Sequence, residues 1–91
     1  MKSPDRKSLL RNWRSLSPAM KAALDEAADA PLRRQRHGWS SKGFGGHAPG
    51  TVEALHRRGL LHIDRLAGCA GVARITKLGG QVFGSVGEPV L

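Results

Sequence analysis

Four histidines, His37, His47, His56 and His62, and one cysteine, Cys69, are the side chains of this chain best suited to bind a metal or attack an electrophile. Their spacing argues against both uses. Zinc sites draw on pairs such as Cys-x-x-Cys or His-x-x-x-His, and neither pair occurs here. A cysteine nucleophile needs a base, and the base needs a third group to orient it. Cys69 stands among glycines in RLAGCAG with no such set in view, and reads as a small turn residue. GFGGHAPG is as glycine-rich as a phosphate-cradling loop, but it lacks the Gly-Lys-Ser/Thr ending and a buried strand before it. No enzyme activity, metal or cofactor is expected.

The chemistry that remains is that of arginine. Lys and Arg outnumber Asp and Glu by 15 to 7 in 91 residues, a net charge of +8. So large a surplus on so small a body makes a positive field that favours polyanions. Arg57 and Arg58 close the stretch TVEALHRRG, where Thr51 can cap a helix and Gly59 can end it in the left-handed conformation. Successive residues turn by about 100° around a helix axis. Val52 and Leu55 then share a buried side, while Glu53, Ala54, Arg57 and Arg58 project from the other and His56 falls near the boundary. Guanidinium groups so placed can bond guanine edges or phosphate. Thr51 and the free N–H groups at the helix start can meet phosphate as well.

Several elements must position that helix. Ser3-Pro4 and Ser17-Pro18 are start signals. Leu9, Leu10, Trp13 and Leu16 recur at helical spacing over about 4–15, with an irregular basic arm as the alternative for the first residues. Met20, Ala23, Leu24, Ala27 and Ala28 form a stripe over about 18–29 that Pro31 ends. From 32 to 50 periodicity fades, so the reading there is a long glycine-rich loop with a short helix near 32–36 and with Trp39 and Phe44 anchoring it. After the helix at 51–58, residues 60–64 and 72–76 read as two strands of a hairpin. Thr76 can then cap a last helix that packs Leu78, Val82 and Phe83 inward. Residues 86–91 read as a loose tail.

This order, with LSPAMKAAL, TVEALHRRGLL and ARITKLGGQV in it, resembles the winged helix-turn-helix domain of small bacterial transcription regulators of the MarR-like group. Thr51, Leu55, Gly59 and Leu60 match the pattern T-x-x-x-L-x-x-x-G-L of the recognition helix and its exit. Arg74, Thr76 and Gly79 match R-x-T-x-x-G at the end of the wing. The resemblance spans about 16–85 and departs from the family in the glycine-rich loop, the short third helix and the lack of long dimerisation helices. It implies one α+β, mostly α, winged-helix domain over 1–91: a three-helix core, a two-stranded hairpin wing and a short C-terminal helix. It implies DNA binding through a recognition helix near 51–58 and a wing near 60–76. Beside the resemblance, Arg65 and Arg74 on that hairpin can reach the adjacent backbone or minor groove, and Lys42 beside the glycines can do the same.

The expected partner is therefore double-stranded DNA, with a homodimer as a further association. One cysteine allows no internal disulfide, which fits a reducing cytoplasm. No apolar run has the length of a membrane span, and the basic start MKSPDRKSLLRNWRSL lacks the apolar core of a secretory signal. The rival function is a winged-helix module that docks an acidic protein and never reads DNA. Structured RNA is a third candidate partner. The direction of the arginines separates the first two: one shared face with Lys42 favours DNA, whereas an exposed apolar patch around Trp39 or Phe44 favours protein docking.

Overall fold

The computed structural model describes residues 5–42, 46–65 and 71–87. The expectations placed on Ser3, Phe44, Cys69 and residues 88–91 fall outside that set. Among the described residues the fold is α+β, with four helices and one four-stranded antiparallel sheet.

Two short helices open the chain. Helix α1 spans Arg6–Arg14, and its N-cap is Asp5, whose carboxylate accepts the Ser8 N–H at 2.7 Å. Helix α2 spans Pro18–Asp29 and starts as expected, with Ser17 accepting the Met20 N–H and proline in the first turn. It buries Met20, Ala23, Leu24 and Ala27, while Ala28, one step further round the axis, is exposed.

The segment after Pro31 corrects the sequence reading. In place of a short helix and loop it forms β1, Leu32–Arg34, and β2, Trp39–Ser40. Strands of three and two residues are too short to display a period of two. They exist because Leu32 pairs with Ala73 far along the chain, a tertiary pairing that no local pattern announces. The turn between them is closed by Arg34, whose guanidinium donates to the carbonyls of Gln35 at 2.6 Å and Gly38 at 3.0 Å. Trp39 is 1% exposed and is an anchor, as expected.

Helix α3 spans Pro49–Arg57. Its N-cap is Ala48 rather than Thr51, because Pro49 supplies a first-turn residue two positions earlier than the threonine signal suggested. Its end follows the sequence closely. Gly59 takes φ +76°, its N–H bonds the His56 carbonyl, and the Leu60 N–H bonds the Leu55 carbonyl. Those two bonds make a Schellman ending, with the buried pair Leu55 and Leu60 packed beneath it.

The hairpin follows as β3, Leu61–Asp64, and β4, Val72–Ile75. It is not a separate two-stranded wing. The sheet order is β2-β1-β4-β3, so β4 is paired on both sides. Leu32, Leu61, Ile63 and Ala73 face inward and join Leu24, Val52, Leu55 and Val82 in one core.

Helix α4, Lys77–Gly87, is locked to the turn after α3. The Leu60 carbonyl accepts the Thr76 N–H at 3.1 Å, and the Thr76 hydroxyl lies 2.6 Å from the Gly59 carbonyl. The same hydroxyl accepts the Gly79 N–H at 2.9 Å and so caps the helix as expected. Gly79 faces the Leu60 carbonyl so closely that a Cβ would collide with it, while a Cβ on Gly80 would meet open space. Gly79→Ala should therefore cost about 1–3 kcal/mol through overpacking. Gly80→Ala should be neutral or gain up to about 1 kcal/mol of helix propensity. Thermal or urea melts of the two variants check this; equal effects would show that the close approach at Gly79 is not the controlling contact.

Candidate nucleic-acid interface

Helix α3 is held by Val52 and Leu55, both fully buried, so its opposite side must face out. Arg57 is exposed there, on the last helical residue. Thr51 is half-buried within the first turn and its N–H is taken by the Ala48 carbonyl at 3.0 Å. Glu53 and Ala54 are half-buried, and Ala54 packs against the core rather than standing clear of it.

The other predicted arginines do not gather on one face as free groups. Arg58 is the C-cap, and its guanidinium donates to the Ser15 hydroxyl at 2.8 Å, at the joint between α1 and α2. Adjacent residues at a helix end diverge by about 100°, which sends Arg57 and Arg58 to different neighbours. Arg65 leaves β3 and pairs with Glu53 on α3. Both side chains are well exposed, so the pair adds little stability, but it turns Arg65 towards the helix. Arg74 is exposed on β4, directly across from His62 on β3.

Lys42 lies elsewhere. It lines a groove with Asp25, Glu26 and Asp29 of α2, beside Ser41 and His47, and none of the four arginines lines that groove. The turn after β2 carries it to the acidic side of α2, where its charge meets carboxylates rather than extending an arginine face.

Three features were not legible as site elements in the sequence. Arg33 is exposed on β1, on the side of the sheet opposite Leu32. His56 bridges α3 to the edge strand β3: its Nδ1 lies 3.3 Å from the Ile63 N–H nitrogen and 3.2 Å from the Leu61 carbonyl oxygen. As a bare nitrogen it accepts from Ile63, and when protonated it donates to Leu61. Either form occupies an edge that would otherwise offer itself to another strand. The His56 and His62 rings lie 5.9 Å apart.

The third feature is a latch at Glu26. One carboxylate oxygen accepts the Ser41 N–H at 2.7 Å and the Ser41 hydroxyl at 2.9 Å, and the other lies 3.1 Å from His47 Nε2. His47 and Trp39 exchange two backbone hydrogen bonds, of 2.9 and 2.7 Å. The latch thus fastens both ends of the glycine-rich segment to α2. Its members lie 15 and 21 residues apart in the chain, which leaves no local signal.

The candidate interface carries hydrogen-bond donors and positive charge. Among the described residues no three His, Cys, Asp or Glu side chains come together to hold a metal, and no helix is long and apolar enough to cross a membrane. No known protein family, curated protein or solved structure matches the chain.

The Ser41 N–H, with help from the Ser41 hydroxyl and His47, holds the Glu26 carboxyl below its ordinary value of 4.5, against the opposing effect of burial. A depressed folded-state pKa means that the stabilisation is complete above the unfolded value and is lost as pH falls through the folded one. Stability of the parent should therefore drop on acidification from roughly pH 5 to pH 3 more steeply than that of Glu26→Gln. Melting temperatures across that range check it, and parallel curves would remove the carboxylate from the account.

Proposed function

We propose that this chain is a winged-helix protein that binds duplex DNA, as a small transcription regulator or accessory factor of the MarR-like kind. In this reading α3 is the recognition helix and the β3–β4 hairpin is the wing. The arrangement departs from a strict helix-turn-helix, because β1 and β2 stand between α2 and α3 where such a motif carries a helix. The observation that carries the reading is Arg57. Its guanidinium stands exposed on the outer side of α3, among the described residues without an acidic partner, on a helix whose other side is fixed in the core.

The charge distribution supports the same partner. Residues 49–76 contain Arg57, Arg58, Arg65 and Arg74 against Glu53 and Asp64. The acids Asp25, Glu26 and Asp29 are gathered on α2. A polyanion meets a positive field at α3 and the hairpin, with the main source of repulsion confined to another element. Of the two anchors expected for the protein-docking alternative, Trp39 is in the core and Phe44 lies outside the described residues.

Binding to random duplex DNA should be weak, roughly micromolar to 100 μM near physiological salt, and should fall steeply as salt rises. Arg57→Ala should leave stability within about 0.5 kcal/mol of the parent. It should weaken DNA binding by about 1–3 kcal/mol if the guanidinium reads a base, and by a smaller, sequence-independent amount if it meets phosphate. Leu55→Ala should instead cost about 2–5 kcal/mol of stability. Melts and fluorescence-anisotropy titrations at two salt concentrations check all three; an Arg57→Ala protein that binds like the parent would remove α3 from the recognition role.

A further inference from the structure

The sheet has two faces, and the helices cover only one. Leu32, Ala73, Leu61 and Ile63 point into the core. Their neighbours along the strands, Arg33, Val72, Arg74 and His62, point away from it, because successive strand residues alternate sides. Arg33, Arg74 and His62 are exposed. The register sets them in order: His62 lies opposite Arg74, and Arg33 lies opposite Val72, two residues before Arg74 on the same strand. Arg33 and Arg74 are thus diagonal neighbours on one face, about 7–8 Å apart at the backbone.

This row reaches the edge that α3 covers. His62 lies beside His56 of α3, whose ring is 5.9 Å away. A path of polar groups therefore runs from His56 across the β3 edge to His62, Arg74 and on to Arg33. Asp64 is the one acidic side chain in the outward rows of β1, β3 and β4. It sits at the β3 corner, separated from Arg33 by Val72. Among the described residues neither Arg33 nor Arg74 is in an ion pair, and Asp64 stands diagonal to Arg74 across the β3–β4 pair.

We infer that the outer face of this sheet is a second contact surface for duplex DNA, and that Arg33 and Arg74 hold phosphates of the backbone that leaves α3. The inference rests on the DNA-binding reading above and adds to it a direction and a footprint. Each strand of a duplex presents a negative charge for about every 3.4 Å of the axis, so two guanidinium groups at this separation can meet phosphates of one backbone. Contacts to phosphate fix position but carry no sequence information, so this contact is independent of sequence.

The test is the salt dependence of binding to a random duplex, measured for the full chain and for Arg33→Ala, Arg74→Ala and Lys7→Ala, with melting curves to confirm folding. Lys7 is an exposed cation on α1, away from the row, and controls for net charge alone. Each lost phosphate contact should lower the slope of log affinity against log salt by about 0.9, so Arg33→Ala and Arg74→Ala should each do so and weaken binding several-fold. Lys7→Ala should leave the slope near that of the parent. A parent that binds with a slope insensitive to Arg33 and Arg74, or equally sensitive to Lys7, overturns the sheet surface and leaves α3 binding intact. A parent that does not bind duplex DNA even at low salt overturns the underlying function and this surface with it. Tighter, Arg33-dependent binding to duplex RNA overturns the choice of polymer.

Discussion

The carbonyl oxygen of Leu60 is where the exit of α3, the end of β4 and the start of α4 are joined. It accepts the Thr76 N–H, while the Thr76 hydroxyl sits near it and turns its own lone pairs to the Gly79 N–H. This small polar knot, laid over the buried pair Leu55 and Leu60, fixes how far α3 can run before the chain reverses. The last helical residue is then Arg57, and its direction follows from where the helix must stop. The residues that carry the winged-helix resemblance, Gly59, Thr76 and Gly79, are the ones that build this knot. Their part is to aim the helix, and the aiming is what any contact by Arg57 depends on.

Charge is distributed unevenly over this frame. Arg58 is spent on Ser15 and Arg65 on Glu53, so adjacency in sequence to Arg57 does not make a residue part of its surface. Lys42 is drawn to the acidic side of α2, where Glu26 organises the turn after β2. Arg33, Arg57 and Arg74 stay exposed because their elements hold them on outward rows. That selection is made by register and helix phase, at a scale of one residue, and it divides a total charge of +8 into groups with different neighbours.

The sequence was most informative where structure is local. The Ser17 cap, the left-handed Gly59, the Thr76 cap and the burial of Val52 and Leu55 each depend on residues within a turn or two of one another. It was least informative between 32 and 50. There β1 needs β4, and the Trp39–His47 bridge needs Glu26 of α2, partners that lie too far along the chain to leave a periodic trace. Arg33 was hidden for the same reason, since a residue read as loop or short helix has no assigned face. The cap of α3 lies three residues before the one that Thr51 predicts, because threonine is a common cap, whereas Pro49 and the exposed Ala48 open the helix without any side-chain cap.

The paired hydrogen bonds between Trp39 and His47 have a bearing on how this protein can change. They hold the two ends of the intervening segment at a fixed separation, with Gly38 and Gly46 packed against the opposing backbone where no side chain fits. Once the ends of a segment are clamped, its length becomes a weak variable: doubling it adds only about 0.6 kcal/mol of closure entropy. A single methyl at Gly38 or Gly46, by contrast, would run into the backbone of His47 or Trp39 and asks a great deal of the clamp. One added carbon at the clamp is therefore a harsher change than added chain enclosed by it.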